Sequence, residues 1–185
     1  MTLPRGFKAN AEREAERLRR AMGLRPVDPV AITKLAIHLG IKVVSADDLI
    51  PRERLEEIER LQAFAFSAAT FEIGDRKIIV TNPLRSEGRL ASDVAHELSH
   101  VLLAHELSEV RHLDGTAFRT CKPDEEEQAT AFGGTLLLPR ALLMQAALKG
   151  LGPDQIASAS GVTAEMARFR FHTTGVLKQA KRRYA

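Results

Sequence analysis

Disulfide stapling is excluded at once, because the 185-residue chain holds one cysteine, Cys121. A lone thiol fits a reducing, cytoplasmic setting better than a secreted one. No apolar run approaches the roughly 20 residues of a membrane-spanning helix. The opening segment is charged and ends Arg17-Leu18-Arg19-Arg20, so no secretory signal is expected. Neither sign of charge dominates: 27 Lys and Arg against 24 Asp and Glu leave a net +3, which permits nucleic-acid contact without demanding it. Tryptophan is absent and Tyr184 is the only tyrosine. The remainder, 44% hydrophobic and 28% charged, is that of an ordinary globular protein, long enough for one core and a small appended lobe.

Against that background stands Asp93-Val94-Ala95-His96-Glu97-Leu98-Ser99-His100-Val101-Leu102, which contains His-Glu-x-x-His. Leu90, Val94, Leu98 and Val101 recur at helical spacing, so the stretch is predicted to be an amphipathic helix. Residues four apart share a helix face, which lets His96 and His100 offer their imidazoles to one metal ion. Glu97 projects about 100° further round, where it reaches water beside the metal rather than the metal itself. Neutral imidazoles suit Zn²⁺, and a neighbouring carboxylate serves as general base and then acid. The same pattern also arises in a core helix that merely carries two histidines.

A catalytic zinc of this kind takes a third protein ligand and keeps one position open. The extended form His-x-x-Gly-x-x-His is absent, because Leu103 and Glu106 occupy its last two key positions. A ligand from a second helix is the other solution. Downstream, Asp124-Glu125-Glu126-Glu127 opens a helix that runs towards Leu136-Leu137-Leu138-Pro139. Acids in a first turn favour the helix dipole, so solvation and capping alone also account for them.

Together these stretches resemble the ImmA/IrrE family of metalloendopeptidases, over about Ala11 to Gln179. The family pairs the histidine motif with a Glu-x-x-Ala helix ending in Leu-Leu-x-Pro. Here Glu126-Glu127-Gln128-Ala129 and Leu136-Leu137-Leu138-Pro139 match. The resemblance implies Glu126 as third ligand, with Glu125 and Glu127 as alternatives one register away. It implies Zn²⁺ as the ion, and an open His₂Glu site also admits Mn²⁺. The implied activity is site-specific cleavage of a helix-turn-helix transcriptional repressor, relieving repression in stress, DNA-damage, mobile-element or antiphage responses. Zincins often add a tyrosine or histidine that steadies the oxyanion. Tyr184 sits at a frayed end, which leaves His172 as the candidate. Cys121 lies shortly before Glu126, where a thiolate reaching the open metal position would hold the enzyme off; a packed or surface cysteine is the plainer reading.

The rest of the chain supplies the scaffold. The pattern predicts helices over about Ala9–Met22, closed by Gly23, from Asp28-Pro29 to Gly40, and over Pro51–Leu61. Ile41–Ser45 reads as a strand, and Thr70–Ile73 with Lys77–Val80 as a hairpin around Gly74. Proteases of this architecture bind extended peptide along a sheet edge, and Lys77–Thr81 is the expected edge. His38 reads as a packed or surface residue, His105 as a helix-terminal hydrogen-bonding group, and His112 and Asp114 as loop residues. Ala141–Lys149 follows as a helix. Ile156-Ala157, Gly161-Val162 and the N-cap Thr163 then resemble a helix-turn-helix. Arg168 and Arg170, with Lys178, Lys181, Arg182 and Arg183, are its candidate contacts to DNA phosphates, single-stranded or duplex.

The expected architecture is α+β: a mostly helical zincin-like domain at 1–150 with a small antiparallel or mixed sheet, and a helix-turn-helix-like segment at 151–185 packed on it. A metalloendopeptidase is the expected function. A DNA- or repressor-binding regulatory module with an idle or structural metal site is the alternative, and a zinc hydrolase of small molecules a further one.

Overall fold

The computed structural model describes residues 3–63, 66–105, 110–113, 116–119 and 122–183. Helix α1 (Phe7–Ala21) buries Ala11, Ala15 and Leu18, three and four residues apart, and ends near Gly23 at φ 73°. The second helix, α2, spans Ile32–His38. It starts later than Asp28-Pro29 suggests, because Asp28 closes the preceding turn instead. Its carboxylate accepts the Arg25 N–H at 2.8 Å and pairs with the Arg25 guanidinium at 2.7 Å.

Strands β1 (Lys42–Ser45), β2 (Ala68–Ile73) and β3 (Arg76–Thr81) form a mixed sheet in the order β1-β3-β2. β1 runs parallel to β3, and β2 pairs with β3 as the expected hairpin. Lys77–Thr81 is therefore not an edge: β3 is the central strand. Its run Ile78-Ile79-Val80 has apolar residues for both faces, with Ile79 and Val80 buried, as a strand flanked on both sides requires. Among the described residues, the hairpin edge that pairs with no further strand is that of β2. Helix α3 (Arg52–Leu61) covers one sheet face through Leu55, which clusters with Ala46 and Val80.

The other face supports α4 (Glu87–Leu102), and α5 (Pro123–Leu137) packs against α4. In chain order between them, β4 (Val110–Leu113) and β5 (Thr116–Arg119) pair antiparallel. This corrects the loop assigned to His112, and Asp114-Gly115 between the strands is the hairpin signal that reading overlooked. Asp114 itself lies outside the described residues. Then come α6 (Arg140–Leu148), α7 (Pro153–Ser160), α8 (Ala164–Thr174) and α9 (Val176–Arg183). The fold is α+β, mostly helical with a small mixed sheet, as expected. Ile156, Ala167, Phe171 and Val176 join the same hydrophobic cluster as Leu18, Leu98 and Leu136.

Two buried arginines close the C-terminal end of α5, where carbonyls lack intrahelical partners. Arg19, 2% exposed, donates to the carbonyls of Leu136 and Leu137 at 2.7 and 3.2 Å. Burial lowers its pKa to about 10, and the charge persists at neutral pH. Arg170 donates to the carbonyl of Leu138 at 3.0 Å and pairs with Glu12 at 2.7 Å. Arg170 is thus spent inside the protein, which corrects its reading as a phosphate contact. The α7–α8 turn itself follows the sequence: Gly161 is left-handed, and the Thr163 side chain accepts the Met166 N–H. Among the described residues no single helix is long and apolar enough to cross a membrane.

Candidate metal centre

Helix α4 turns Val94, Ala95 and Leu98 into the core, which leaves His96 and His100 side by side on the flank that faces α5. What allows α5 so close is Gly133. A β-carbon there would stand 3.0 Å from the backbone C and O of Ala95, closer than packed atoms normally come. With the two backbones in near contact, Glu126 in the first turn of α5 reaches across to the histidine pair.

The three side chains converge on one point. Nε2 of His96 lies 3.1 Å from Nε2 of His100 and 3.1 Å from Oε2 of Glu126, while His100 Nε2 and Glu126 Oε1 are 3.4 Å apart. Ligands at about 2.0–2.1 Å on a tetrahedral zinc stand roughly 3.3 Å from one another, so these separations match the edges of such a tetrahedron. The donor set of two imidazoles and one carboxylate fits a divalent cation with a fourth position left over. Glu125 is engaged elsewhere, by Lys122 at 3.2 Å, and Glu127 is not part of the group that converges with the two histidines.

Each histidine has a partner on its far nitrogen. Nδ1 of His100 meets Nδ1 of His105 at 3.0 Å, and Nδ1 of His96 faces Oγ1 of Thr130 at 3.5 Å. His105 gets there through a strained turn. Ala104 sits at φ 54°, the left-handed region that usually takes glycine, and the N–H groups of residues 104 and 105 bond back to Val101 and His100. This closes α4 in a Schellman cap and folds His105 over His100. Helix-terminal bonding of His105 is as the sequence suggests; its ring contact with His100 is additional. The His100 imidazole is held down to about 4, first by burial and then by the neighbouring His96, so it is neutral and ready to bind metal at pH 7.

Glu97 is buried just behind this point, and its Oε2 accepts a 2.6 Å hydrogen bond from the Thr70 hydroxyl on β2. A cleft of about 390 Å³ opens in front, walled by Ala68, Arg89, Asp93, His96, Glu97 and Thr130. Burial raises the pKa of Asp93 against the pull of Arg89, 3.0 Å away.

The structure does not bring His172 to this centre. On α8 the residues Phe169, Arg170, Thr173 and Thr174 face towards α5. Helical phase turns His172 away from them, and it is exposed. His38 is exposed at the end of α2. Cys121 and Tyr184 lie outside the described residues, as does the side chain of His112. Sequence reasoning missed Thr70, Thr130 and Gly133, for none belongs to a motif and each matters only through a contact distant in sequence.

The model of the Peptidase_M78 family, the IrrE N-terminal-like domain, matches residues 38–172 of this chain. No curated protein matches. Among solved structures, a Mycobacterium tuberculosis transcriptional regulator superposes with a TM-score of 0.57 at 18% identity, over 88% of this chain and 46% of that one. The chain thus spans under half the length of that neighbour, and the likeness is one of fold.

Proposed function

The chain belongs to the IrrE N-terminal-like family of metallopeptidases, and from that premise we propose that it is a zinc endopeptidase of the His-Glu-x-x-His type. The observation that carries this reading is the convergence of His96, His100 and Glu126 at tetrahedral spacing in front of a buried Glu97. His96, His100 and Glu126 hold the ion, and manganese is compatible with the same donors. A bound zinc ion supplies a Lewis acid and makes nearby water acidic. Glu97 takes the proton of the attacking water and delivers it to the leaving amine. Thr70 keeps that carboxylate aimed, and His105 and Thr130 fix the imidazoles from behind. Substrate enters in extended form beside β2, the strand next to the metal centre that keeps an open edge.

The substrate in this reading is a helix-turn-helix transcriptional repressor, cut to relieve repression in a stress, DNA-damage, mobile-element or antiphage response within the cytoplasm. The family resemblance supports it, and the fold neighbour bears the name of a transcriptional regulator. Residues 1–150 form the peptidase unit and 151–185 the helical segment against it. DNA contact, where it occurs, uses the exposed Lys178, Lys181 and Arg182 of α9 rather than α8, since Arg170 is buried and Arg168 pairs with Asp154 at 2.9 Å.

The test is to mix the zinc-loaded protein with the repressor encoded beside its gene, with and without single-stranded DNA, and to map products by mass spectrometry. Glu97→Gln keeps zinc and partner but abolishes cleavage. A variant that still cleaves, or a wild type that binds the repressor and never cuts it, defeats the enzymatic reading in favour of a binding module.

A further inference from the structure

Beside the metal cleft runs a larger groove, of about 720 Å³, a volume typical of ligand sites. It runs between α1, α5 and α8, and the two cavities share Thr130. Glu126, the carboxylate of the metal centre, stands on its wall, so the groove opens directly from the place where chemistry is proposed. Its lining is chiefly apolar, with Phe7, Ala131 and Phe169 prominent. Phe169 is 41% exposed, whereas its neighbour on the same helix, Phe171, is 2% exposed. The helix therefore spends one aromatic on the core and turns the other into the groove. Two of its charged groups are occupied: Arg170 is taken up by Glu12 and the Leu138 carbonyl, and Glu12 also accepts the Arg140 N–H at 2.8 Å. The lining also carries Lys8, Glu126, Glu127 and Arg140, yet the surface the groove exposes is mainly apolar. The metal cleft on the other side of Thr130 is more polar in proportion, with Arg89, Ser92 and Asp93.

We propose that this groove is the specificity subsite of the peptidase, and that it takes a large apolar side chain flanking the scissile bond of a polypeptide substrate. The inference rests on the endopeptidase reading above. A chain laid across the metal centre passes Thr130, and a leucine- or phenylalanine-sized side chain on that flank falls into the groove, where it leaves water against Phe169 and Ala131. An acidic or basic side chain in that place gives up water against a mainly apolar surface and binds less tightly.

The probes are fluorescein-labelled octapeptides that differ at one central position, Leu, Phe, Ala, Asp or Lys, in an otherwise polar sequence. Binding is measured by anisotropy to the zinc-loaded Glu97→Gln protein, which holds peptides without cutting them. The Leu and Phe peptides are expected to bind at least tenfold more tightly than the Ala, Asp and Lys peptides. Phe169→Glu, which puts charge in the groove, and Ala131→Trp, which fills it, are expected to erase that difference while zinc affinity and melting temperature stay near the parent's. Equal affinity for all five peptides, weak or strong, overturns the proposal, as does a preference that survives both variants. The wild-type protein is then given the same peptides. Apolar-selective binding without any cleavage keeps the groove and sinks the endopeptidase reading, whereas cleavage indifferent to the central residue keeps the reaction and sinks the groove.

Discussion

The hydroxyl of Thr70 donates to Oε2 of Glu97 over 2.6 Å in a buried setting, joining an edge strand to the metal helix across 27 residues of sequence. A bond to an ionised group contributes about 1.5–3 kcal/mol, and here it fixes which way the carboxylate faces. Thr70→Val keeps the shape and removes the donor. It is expected to lower kcat for the proposed repressor cleavage about tenfold or more with zinc affinity unchanged, and Thr70→Ser is expected to restore most of the loss. Single-turnover cleavage and a chelator competition measure the two quantities; a Val variant with wild-type kcat leaves Thr70 as packing only.

His105 acts on His100 from behind, through Nδ1 to Nδ1 at 3.0 Å. A metal bound at His100 Nε2 requires the His100 proton on Nδ1, and His105 Nδ1 is then the acceptor that holds it there. Loss of such an outer partner typically costs about 10–100-fold in metal affinity. His105→Phe should show that loss in a zinc-chelator titration, and His105→Gln, which retains an acceptor, much less of it. Equal affinities for Phe and Gln variants would mean that the ring contact is incidental.

How much of this was readable in advance depends on how local each relation is. His96 and His100 stand four apart on one helix, so their shared face follows from helix geometry alone. Glu126 is thirty residues on, and singling it out from Glu125 and Glu127 took the family resemblance, because the register is set by how closely α5 approaches α4 at Gly133. Arg170 was misread because a charged side chain after a helix-turn-helix-like turn suggests phosphate. Only the fold reveals that the carbonyl end of α5 is buried there and needs donors. The central place of β3 was missed for a similar reason: an apolar run states that both faces are covered, but not which neighbour lies on each side. The α+β class was legible because helical and strand periodicities are both local.

Arg170 is therefore expected to matter for stability. Arg170→Met takes the side-chain donor from the Leu138 carbonyl and the guanidinium from Glu12, which keeps only the Arg140 N–H, and breaking a buried ion pair costs about 3–5 kcal/mol. Glu12 is partly exposed, which lowers the expectation to about 2–4 kcal/mol. Urea unfolding measures it. A loss below the scatter of surface substitutions would return Arg170 to the candidates for nucleic-acid contact.

Gly133→Ala sets two effects against each other. Alanine in place of glycine inside a helix gains about 1 kcal/mol, while the new methyl meets Ala95 backbone at 3.0 Å, where no flexible side chain can yield. Overpacking of this sort costs about 1–3 kcal/mol, so the net change is a loss of up to about 2 kcal/mol. The more telling effect is on the metal. Pushing α5 off α4 draws Glu126 from the histidines, and zinc affinity should fall even where thermal unfolding of the metal-free protein barely changes. Unaltered zinc affinity would show that the close approach does not set the ligand spacing.

Acid should weaken the metal-free protein through His100. Its imidazole titrates at about 4 in the folded chain against 6.5 for an ordinary histidine, with burial as the chief cause and His96 the second. Between those values the unfolded chain binds more protons than the folded one, so stability rises with pH across that window. The contribution is complete above about 6.5 and is lost as pH falls towards 4. Urea midpoints taken from about pH 4.5 to 7.5 in the presence of a chelator should slope upward for the wild type and more gently for His100→Gln, which has no proton to take. Parallel slopes would place the acid sensitivity elsewhere.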